Sequence, residues 1–289
     1  MLSFTRPSIA SLIEAGIVVA PGSHERLRND GEHLSGERDY PMVGGVPILL
    51  NDREAVDRYA AQSDKMLAEY REFGAKKSLL APIKWFTKED WRNPKATAWM
   101  DRLAELPVVI AIGGGPARDR ERYLNVNIGP FPNVDIVGDA LELPFADASV
   151  DGVVIQAVLE HLTDPWAALR EISRVLKPAG LCLATTPFLQ PYHGYPSHWQ
   201  NFTQAGHALA LEKAGLTIVD QGVAVGPTYA ITTLVADYFL NYAPRPLRKL
   251  LWRAAILFGS LLRPLDRKLV NHPNAHVLAS VTYAVGQKP

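Results

Sequence analysis

Residues 187–203, PFLQPYHGYPSHWQNFT, concentrate the side chains best suited to chemistry. Within eight positions they place Tyr192, His193, Tyr195, His198 and Trp199. Three prolines and one glycine indicate a loop. Aromatic walls with a few polar groups suit a pocket for an organic acceptor, so we predict that Tyr192, Tyr195, His198 and Trp199 bind substrate. A rigid structural loop with solvated histidines is the alternative interpretation.

A glycine turn upstream offers room for a second ligand. The apolar run Val108–Ile112 leads into GGGPARD, where Gly113 and Gly115 let the backbone turn tightly and leave space that a side chain would fill. A dinucleotide site is one interpretation. However, GGGPAR lacks the third glycine of G-x-G-x-x-G because Arg118 stands there, and a lone glycine triplet is weak support.

Two later turns carry polar groups that could face the same ligand. Asp139 follows a later apolar run, where its carboxylate could accept a hydrogen bond from an adenine amino group, and Leu141 could supply a backbone amide. Gln156 ends the run SVDGVVIQ, and the carboxyl ends of strands are where open α/β sheets bind ligands. His161 follows with an ordinary pKa near 6.5, so it could act as a base or simply pack.

Four segments within Val108–Pro187, including GDALELPF, SVDGVVIQAVLEHL and EISRVLKPAGLCLATTP, resemble class I S-adenosylmethionine-dependent methyltransferases of the type 11 group. The resemblance implies an α/β fold with a Rossmann-like seven-stranded sheet and S-adenosylmethionine as cofactor. It implies methyl transfer, at oxygen, to a small-molecule or glycan-type acceptor. His193 matches a histidine that recurs in this loop of the family, which makes it the expected general base, with His161 behind it. The cofactor-binding residues that we expect are Gly113, Gly115, Asn127, Asp139, Ala140, Leu141 and Gln156.

Two positions depart from the family pattern. Ala111 stands where an acidic residue usually precedes the glycines, and Asn127 stands where another usually holds the ribose hydroxyls. An amide can still accept a hydroxyl hydrogen bond, but without charge assistance. Tolerated variation is the favoured interpretation. A non-catalytic binding or scaffold protein with a methyltransferase fold is the alternative.

Composition shifts divide the chain into three predicted parts. Residues 1–52 form a small β-rich domain, 53–105 a helical cap or linker, and 106–289 the methyltransferase domain with a helical insertion over 226–275. The first part resembles activator subunits of tRNA methyltransferases. Family members often bind zinc through paired cysteines, which Ala20, Pro21 and Ser23 replace here. A zinc site therefore has no thiolates.

Periodicity predicts the secondary structure of the third part. GLTIVDQGVAV and HVLASVTYAVG supply two strands beyond the parallel ones, and AALREISRVLKPAG forms a helix that leaves through glycine. The spacers between the first three strands are too short for ordinary helical crossovers, so the first two helices are abbreviated to turns or loops. The parallel strands that we expect are Val108–Ile112, Leu124–Ile128, Val134–Val137, Gly152–Gln156 and Leu181–Thr185.

Overall composition narrows the function classes. The 289 residues carry zero formal net charge, which disfavours nucleic acid as a partner and weakens RNA methylation as a further alternative. Cys182 is the single cysteine, and we find no secretory signal, so we expect a cytoplasmic protein. We expect no metal, because His193, His198 and His207 lack a recognisable ligand spacing.

Arg245–Lys268 fits one amphipathic helix that Pro264 must kink or split. Such a helix could lie on an anionic membrane surface, line a pocket for a phosphorylated acceptor, or cover a homodimer interface. A helix packed on its own domain is the alternative. The predicted basic side comprises Arg245, Arg248, Lys249, Arg253, Arg263, Arg267 and Lys268. The apolar side comprises Leu247, Leu250, Leu251, Phe258, Leu261 and Leu265.

Overall fold

A computed structural model describes residues 6–31, 33–52, 54, 93–115, 118–129, 131–194 and 197–289. The helical pattern expected over most of 53–105, with Tyr59 and Tyr70, falls largely outside the described residues. The first seven residues of its last part, TAWMDRLAEL, lie in a helix over Pro94–Leu103. No helix in the described part of the chain is both long and apolar enough to cross a bilayer.

The described strands join in one sheet with the order β1-β2-β3-β4-β7-β6-β5-β8-β9-β11-β10. The seven strands from β5 onward are the predicted ones, with ends shifted by one to five residues. The strands are β1 (Arg28–Asn29), β2 (His33–Ser35), β3 (Asp39–Val43), β4 (Val46–Leu49), β5 (Val109–Ile112), β6 (Leu124–Asn127), β7 (Ile136–Gly138), β8 (Val150–Gln156), β9 (Leu176–Pro187), β10 (Thr217–Val225) and β11 (Val281–Gln287).

Strands β7, β6, β5, β8 and β9 run parallel, and β11 is antiparallel to both of its neighbours. All four residues of β5 are buried, as are all four of β6. Continuous buried apolar runs are typical of parallel strands that are covered on both faces. The α/β fold class and the antiparallel end of the sheet are thus confirmed.

The N-terminal strands extend this sheet. β1 to β4 form an antiparallel meander, and β4 then pairs parallel with β7 through Ile48 and Val137. Leu12 and Leu34 pack in the same core cluster as Ile110 of β5. The described part of residues 6–52 therefore contains β1 to β4, and it shares a hydrophobic core with the parallel strands.

The described helices cover the faces of the sheet and form the insertion. They are α1 (Ile9–Glu14), α2 (Pro94–Leu103), α3 (Pro165–Val175), α4 (Gln204–Lys213), α5 (Pro227–Tyr242), α6 (Arg248–Leu262) and α7 (Asp266–Leu269). The Asp164 side chain accepts from the Ala167 amide at 2.9 Å and caps α3. The glycine exit predicted for α3 is wrong: the helix ends at Val175, because Leu176 already pairs with Val150 as β9 begins.

A salt bridge braces the short β5–β6 connection, where residues 118–123 contain no helix. Arg118 donates from both Nη atoms to the Asp135 carboxylate, at 2.7 and 3.1 Å, and also to the Asn133 carbonyl. Asp135 Oδ2 accepts in addition from the Asn125 amide at 2.7 Å. The residue at the third-glycine position thus fixes the β5–β6 and β6–β7 connections to each other, in place of a helical crossover.

The insertion splits at proline as predicted. α6 ends at Leu262, a 3₁₀ turn spans Arg263–Leu265, and α7 follows. The helix begins three residues later than expected. Arg263 does not join an exposed basic face, because it is buried with its guanidinium 4.8 Å from the centre of the Tyr229 ring. Leu250, Phe258 and Leu261 on the apolar side are instead exposed, by 63–65%.

Buried Asp266 ties the insertion to the domain. Its two carboxylate oxygens accept from the amides of Thr228 and Tyr229 at 3.0 and 3.1 Å. These amides lie in the first turn of α5, where unpaired N–H groups and the helix dipole favour a carboxylate. A Cβ on Gly226 would lie 2.5 Å from Asp266 Oδ1, so glycine is required at this approach.

His207 makes stability sensitive to acid. Its ring is fully buried and contacts Thr282 Oγ1 at 3.2 Å, and burial lowers its pKa to about 3. Below pH 6.5 the unfolded chain therefore binds a proton at His207, whereas the folded chain stays unprotonated there. The contribution of His207 to the free energy of unfolding is lost as pH falls. Between pH 7 and pH 5 we expect a loss of about 2 kcal/mol from this residue.

Urea unfolding of wild type and His207→Leu at both pH values measures this contribution. The variant should show the smaller difference between pH 7 and pH 5. The exposed His276 provides the control, since His276→Ala should retain the wild-type difference. An unchanged pH dependence in His207→Leu would contradict the assignment.

Candidate functional site

The predicted cofactor residues meet at one edge of the sheet. Strands β5, β6, β7 and β8 run parallel and adjacent, so Gly113, Asn127, Asp139 and Gln156 all lie at their carboxyl ends. Ala140 and Leu141 continue the turn that follows β7. This is the edge at which open α/β sheets bind ligands.

The two glycines of the first turn have different local roles. Gly113 and Gly115 both have positive φ, of +73° and +63°. A Cβ on Gly113 would lie 2.1 Å from Val158 Cγ2, whereas no heavy atom of the described residues lies within 4 Å of a Cβ built on Gly115. The first glycine therefore allows packing against the segment after β8, and the described residues leave space beside the second.

Short-range hydrogen bonds shape the neighbouring turns. The buried Asn127 side chain accepts from the Gly129 amide at 3.3 Å. Asp139 Oδ1 accepts from the Leu141 amide at 2.9 Å. The Leu141 amide, which we expected to bind a ligand, therefore donates to a side chain of the same turn. This hydrogen bond holds Asp139 in a fixed orientation.

Gln156 has a partner that the sequence did not suggest. Its Nε2 donates to Asp119 Oδ2 at 2.5 Å. Asp119 follows the glycine turn and brings a carboxylate to the same edge, where the family's acidic residue is replaced by Ala111 in β5. No periodic pattern marks Asp119, because it lies in an irregular connection.

Glu160, His161 and His193 form a compact group next to this edge, which we call the histidine–carboxylate cluster. A 3₁₀ turn over Leu159–His161 follows β8 and carries the first two. Glu160 Oε1 lies 3.9 Å from the Nε2 atoms of both His161 and His193. The Glu160 side chain is fully buried, and neither carboxylate oxygen has a hydrogen-bond partner among the described residues.

Backbone carbonyls set the tautomers of the two histidines. His161 Nδ1 contacts the Ser197 carbonyl, and His193 Nδ1 contacts the Pro191 carbonyl at 3.0 Å. A carbonyl oxygen only accepts, so both Nδ1 atoms carry hydrogen and both Nε2 atoms present lone pairs in the neutral rings. The lone pairs belong to the two atoms that lie nearest the Glu160 carboxylate.

Burial shifts the pKa values of the cluster. Desolvation raises the pKa of Glu160 to about 7, although its own amide partly opposes this shift. Desolvation lowers the pKa of His161, and the hydrogen bond to the Ser197 carbonyl opposes it. Both shifts favour the uncharged forms, as expected where polar groups lack water.

His198 holds the loop in place. Its Nδ1 accepts from the His193 amide at 3.2 Å, and its Nε2 lies 2.6 Å from Asn201 Oδ1, which accepts. Both ring nitrogens are therefore engaged within the protein. Its ring also stacks on Tyr192, at a centroid distance of 5.7 Å.

The other aromatic residues of the loop lie in different surroundings. Tyr192 lines a cavity, whereas Trp199 is 61% exposed and its amide donates to the Glu160 carbonyl at 2.8 Å. Tyr195, also predicted to bind substrate, lies outside the described residues. Of the described residues predicted to bind substrate, Tyr192 lines this cavity, and His198 and Trp199 do not.

The cavity lies between this loop and the insertion. It has a volume of about 240 Å³ and a half-buried carboxylate, Asp237, whose pKa is raised by desolvation. Trp252 and Ile256 of α6 also line it. Its walls comprise Gln190, Pro191, Tyr192, His193, Tyr229, Thr233, Ala236, Asp237, Trp252 and Ile256. No pattern in the sequence indicates that α5 faces the loop.

The fold and the glycine turn together define the class of the domain. Only β11 is reversed in the order β7-β6-β5-β8-β9-β11-β10, which is the class I methyltransferase arrangement implied by the sequence resemblance. Residues 117–184 match the family described as "Methyltransferase domain". The strand order and the matched residues thus support a class I S-adenosylmethionine-dependent methyltransferase domain.

Relatives of known sequence and structure are similar over part of the chain. An uncharacterized methyltransferase from Mycobacterium sp. (strain KMS) is 31% identical over 156 residues, which are 47% of this chain and 61% of the relative. A probable S-adenosylmethionine-dependent methyltransferase from Mycolicibacterium smegmatis is 38% identical over 97 residues, 31% of this chain and 38% of the relative. A methyltransferase structure from Thermotoga maritima has 14% identity and a TM-score of 0.44, covering 74% of this chain and 97% of that one.

The residues at the sheet edge fit the cofactor of this class. No heavy atom of the described residues lies within 4 Å of a Cβ built on Gly115, and Asn127 at the end of β6 and Asp139 after β7 provide oxygen acceptors. Such acceptors suit ribose hydroxyls and an adenine amino group. Ala111 offers no side-chain acceptor, and Asp119 is the described carboxylate closest in sequence to the turn.

Proposed function

We propose that the protein transfers a methyl group from S-adenosylmethionine to a hydroxyl oxygen of a small-molecule or glycan-type acceptor. The observation that carries this proposal is the histidine–carboxylate cluster, which lies directly after β8 and borders the cavity through His193. Methyl transfer to oxygen requires removal of a proton, and such proton transfer contributes about 10²–10⁴-fold to rate.

Each group has a proposed role. Gly113, Gly115, Asn127, Asp139, Ala140, Leu141 and Gln156 form the cofactor side. S-adenosylmethionine supplies the electrophilic methyl group when bound. His193 accepts the acceptor's proton at Nε2, while its Nδ1–H remains on the Pro191 carbonyl at 3.0 Å. Glu160 and His161 polarise this position, and closing the loop over the cavity excludes water.

The cavity supports a hydroxylated organic acceptor. Tyr192, Tyr229 and Trp252 provide aromatic surface, and Asp237 provides a hydrogen-bond acceptor among them. Flat apolar surface with a few fixed polar groups is typical of small-ligand sites. His198 and Trp199, predicted to bind substrate, are proposed to act by holding the loop.

The exposed apolar side of α6 supports peripheral contact with an anionic membrane surface. Leu250, Leu257 and Phe258 are 57–65% exposed, and Arg253 on the same helix is also exposed. Apolar and basic groups on one helix are the pattern of interfacial helices. A membrane-bound acceptor would thereby be brought next to the cavity.

Transfer of a labelled methyl group from S-adenosylmethionine to a panel of hydroxylated saccharides and phenols tests the function. We expect labelled, base-stable ether products from at least one acceptor. With that acceptor, Trp252→Ala should raise KM about tenfold or more with little change in kcat, since it removes binding surface. Leu257→Ala on the exposed side of α6 is the matched control. Labelling of amines alone, or an unchanged KM in Trp252→Ala, would contradict the proposal.

A further inference from the structure

We infer that Glu160, His161 and His193 form a binding site for one divalent transition-metal ion of the Zn²⁺ or Co²⁺ type. Each residue offers one ligand atom, and these three atoms all lie within 4.8 Å of one another. The inference rests on the proposed function only for the role of the ion, and not for its binding.

The distances in the cluster suit a metal ion better than direct contact. Glu160 Oε1 lies 3.9 Å from each Nε2 atom, which is beyond hydrogen-bond distance. Ligand bonds of about 2.0–2.2 Å place neighbouring ligand atoms about 3.0–3.6 Å apart. A movement of less than about 1 Å by each side chain would therefore complete the site, within ordinary rotamer adjustment.

The buried carboxylate is the second observation. Both Glu160 oxygens are sealed from solvent and have no hydrogen-bond partner among the described residues. Leaving a buried polar group without a partner costs about 1–3 kcal/mol, and more for a charged group. A cation between Glu160 and the histidines would supply the missing partner and relieve this cost.

The hydrogen bonds that would orient the two histidine ligands are already in place. Histidines that bind metals usually donate their other ring N–H to a carbonyl or carboxylate, which fixes the tautomer. His161 and His193 do so to the carbonyls of Ser197 and Pro191. The Nε2 lone pairs are therefore available without any change of protonation.

Donor chemistry selects the kind of ion. Two imidazoles and one carboxylate favour first-row transition ions over Mg²⁺ or Ca²⁺, which prefer oxygen ligands. Three protein ligands leave coordination positions open, as in catalytic rather than structural sites. No cysteine takes part, since Cys182 is buried in β9.

The ion refines the proposed role of His193. The ion borders the acceptor cavity through His193, so an acceptor hydroxyl could occupy one of the open coordination positions of the ion. Binding to such an ion lowers the pKa of an oxygen ligand. The O–H proton then passes to water, the oxygen bonds to the methyl carbon, and the carbon–sulfur electron pair returns to the sulfur. His193 acts here as a ligand, so with the ion bound this role replaces proton acceptance at its Nε2.

Calorimetric titration of the chelator-treated protein with ZnCl₂ tests the site, together with the visible spectrum after CoCl₂ addition. We expect one equivalent bound with micromolar or tighter affinity, and d–d absorption typical of nitrogen and oxygen ligands. Glu160→Gln keeps the side-chain shape and should weaken binding at least 100-fold, as should His193→Ala. His276→Ala should bind like wild type, since that exposed histidine also contacts a carbonyl.

Two measurements distinguish failure of the metal site from failure of the proposed function. Thermal unfolding of each variant without metal shows that it folds, and added Zn²⁺ should raise Tm in wild type but not in Glu160→Gln. S-adenosylhomocysteine binding is measured on the same samples. Zn²⁺ binding without cofactor binding would uphold the site and refute the function. Absence of saturable Zn²⁺ and Co²⁺ binding, or wild-type affinity in both cluster variants, would overturn the inference.

Discussion

Replacing His193 with alanine is expected to lower kcat for methyl transfer by about 10²–10⁴-fold, the range that a positioned proton-transfer group contributes. The His193 Nε2 faces the buried Glu160 carboxylate and the ring borders the cavity, so its loss affects the acceptor side. The expected cofactor residues all lie on other segments. Affinity for S-adenosylhomocysteine should therefore stay within about twofold of wild type, a change that is small on the free-energy scale.

Single-turnover kinetics with the acceptor identified by the labelling experiment measure this effect. His276→Ala provides the matched control because it removes an exposed histidine with a similar carbonyl contact. Its kcat should equal that of wild type. Full turnover in His193→Ala, with normal cofactor binding, would show that neither proton transfer nor metal ligation at this residue contributes.

Gly113→Ala is expected to cause the second large effect, a loss of about 3–5 kcal/mol in the free energy of unfolding. The new methyl group would lie 2.1 Å from Val158 Cγ2, and φ is +73°. Left-handed backbone costs a non-glycine residue about 1–3 kcal/mol, and overpacking adds a similar amount. Moving Val158 would also displace the turn that carries Glu160 and His161.

Gly115→Ala separates the two causes. Gly115 has a similar φ, +63°, but no heavy atom of the described residues lies within 4 Å of a Cβ built there. It should therefore show the backbone cost alone, about 1–2 kcal/mol. In urea unfolding, Val158→Ala in the Gly113→Ala background should recover part of the loss. Equal destabilisation by the two glycine variants would contradict the steric explanation.

The strands were the most predictable part of the fold. β5 and β8 are short runs of apolar residues bounded by turn signals, and such runs form buried parallel strands because both faces are covered. The absence of helices from the described parts of the β5–β6 and β6–β7 connections was also predictable, because these connections are too short for an ordinary helical crossover. The end of α3 was not, because strand pairing at Leu176 overrides the glycine signal four residues later.

The candidate site was predictable only as a set of segments. Glycines, Asp139 and His193 stand where a strand ends, and parallel pairing brings such ends together. Neither the burial of Glu160 nor its 3.9 Å distances to two histidines can be read from residue types, since one of the two contacts joins residues 33 positions apart in different loops. Trp252 and Asp237 reach the cavity only through the packing of α5 and α6.

The insertion shows the limits of helical periodicity. A helical wheel divides Arg245–Lys268 into basic and apolar sides, but it does not say which side faces the protein. In the structure the small residues Gly259 and Ser260 are buried, and a Cβ on Gly259 would lie 2.0 Å from Thr232 Oγ1 of α5. The close approach of the α5 and α6 backbones therefore determines which side of α6 faces the protein. The leucines on the other side remain exposed.

Calorimetric titration of the full chain with S-adenosylmethionine measures whether the strand edge around Gly115, Asn127 and Asp139 binds this donor. We expect one site per chain with a dissociation constant in the micromolar range, weakened at least tenfold by Asp139→Ala in a normally folded protein. Absence of any binding heat at millimolar donor, or equal affinity in wild type and Asp139→Ala, would contradict it.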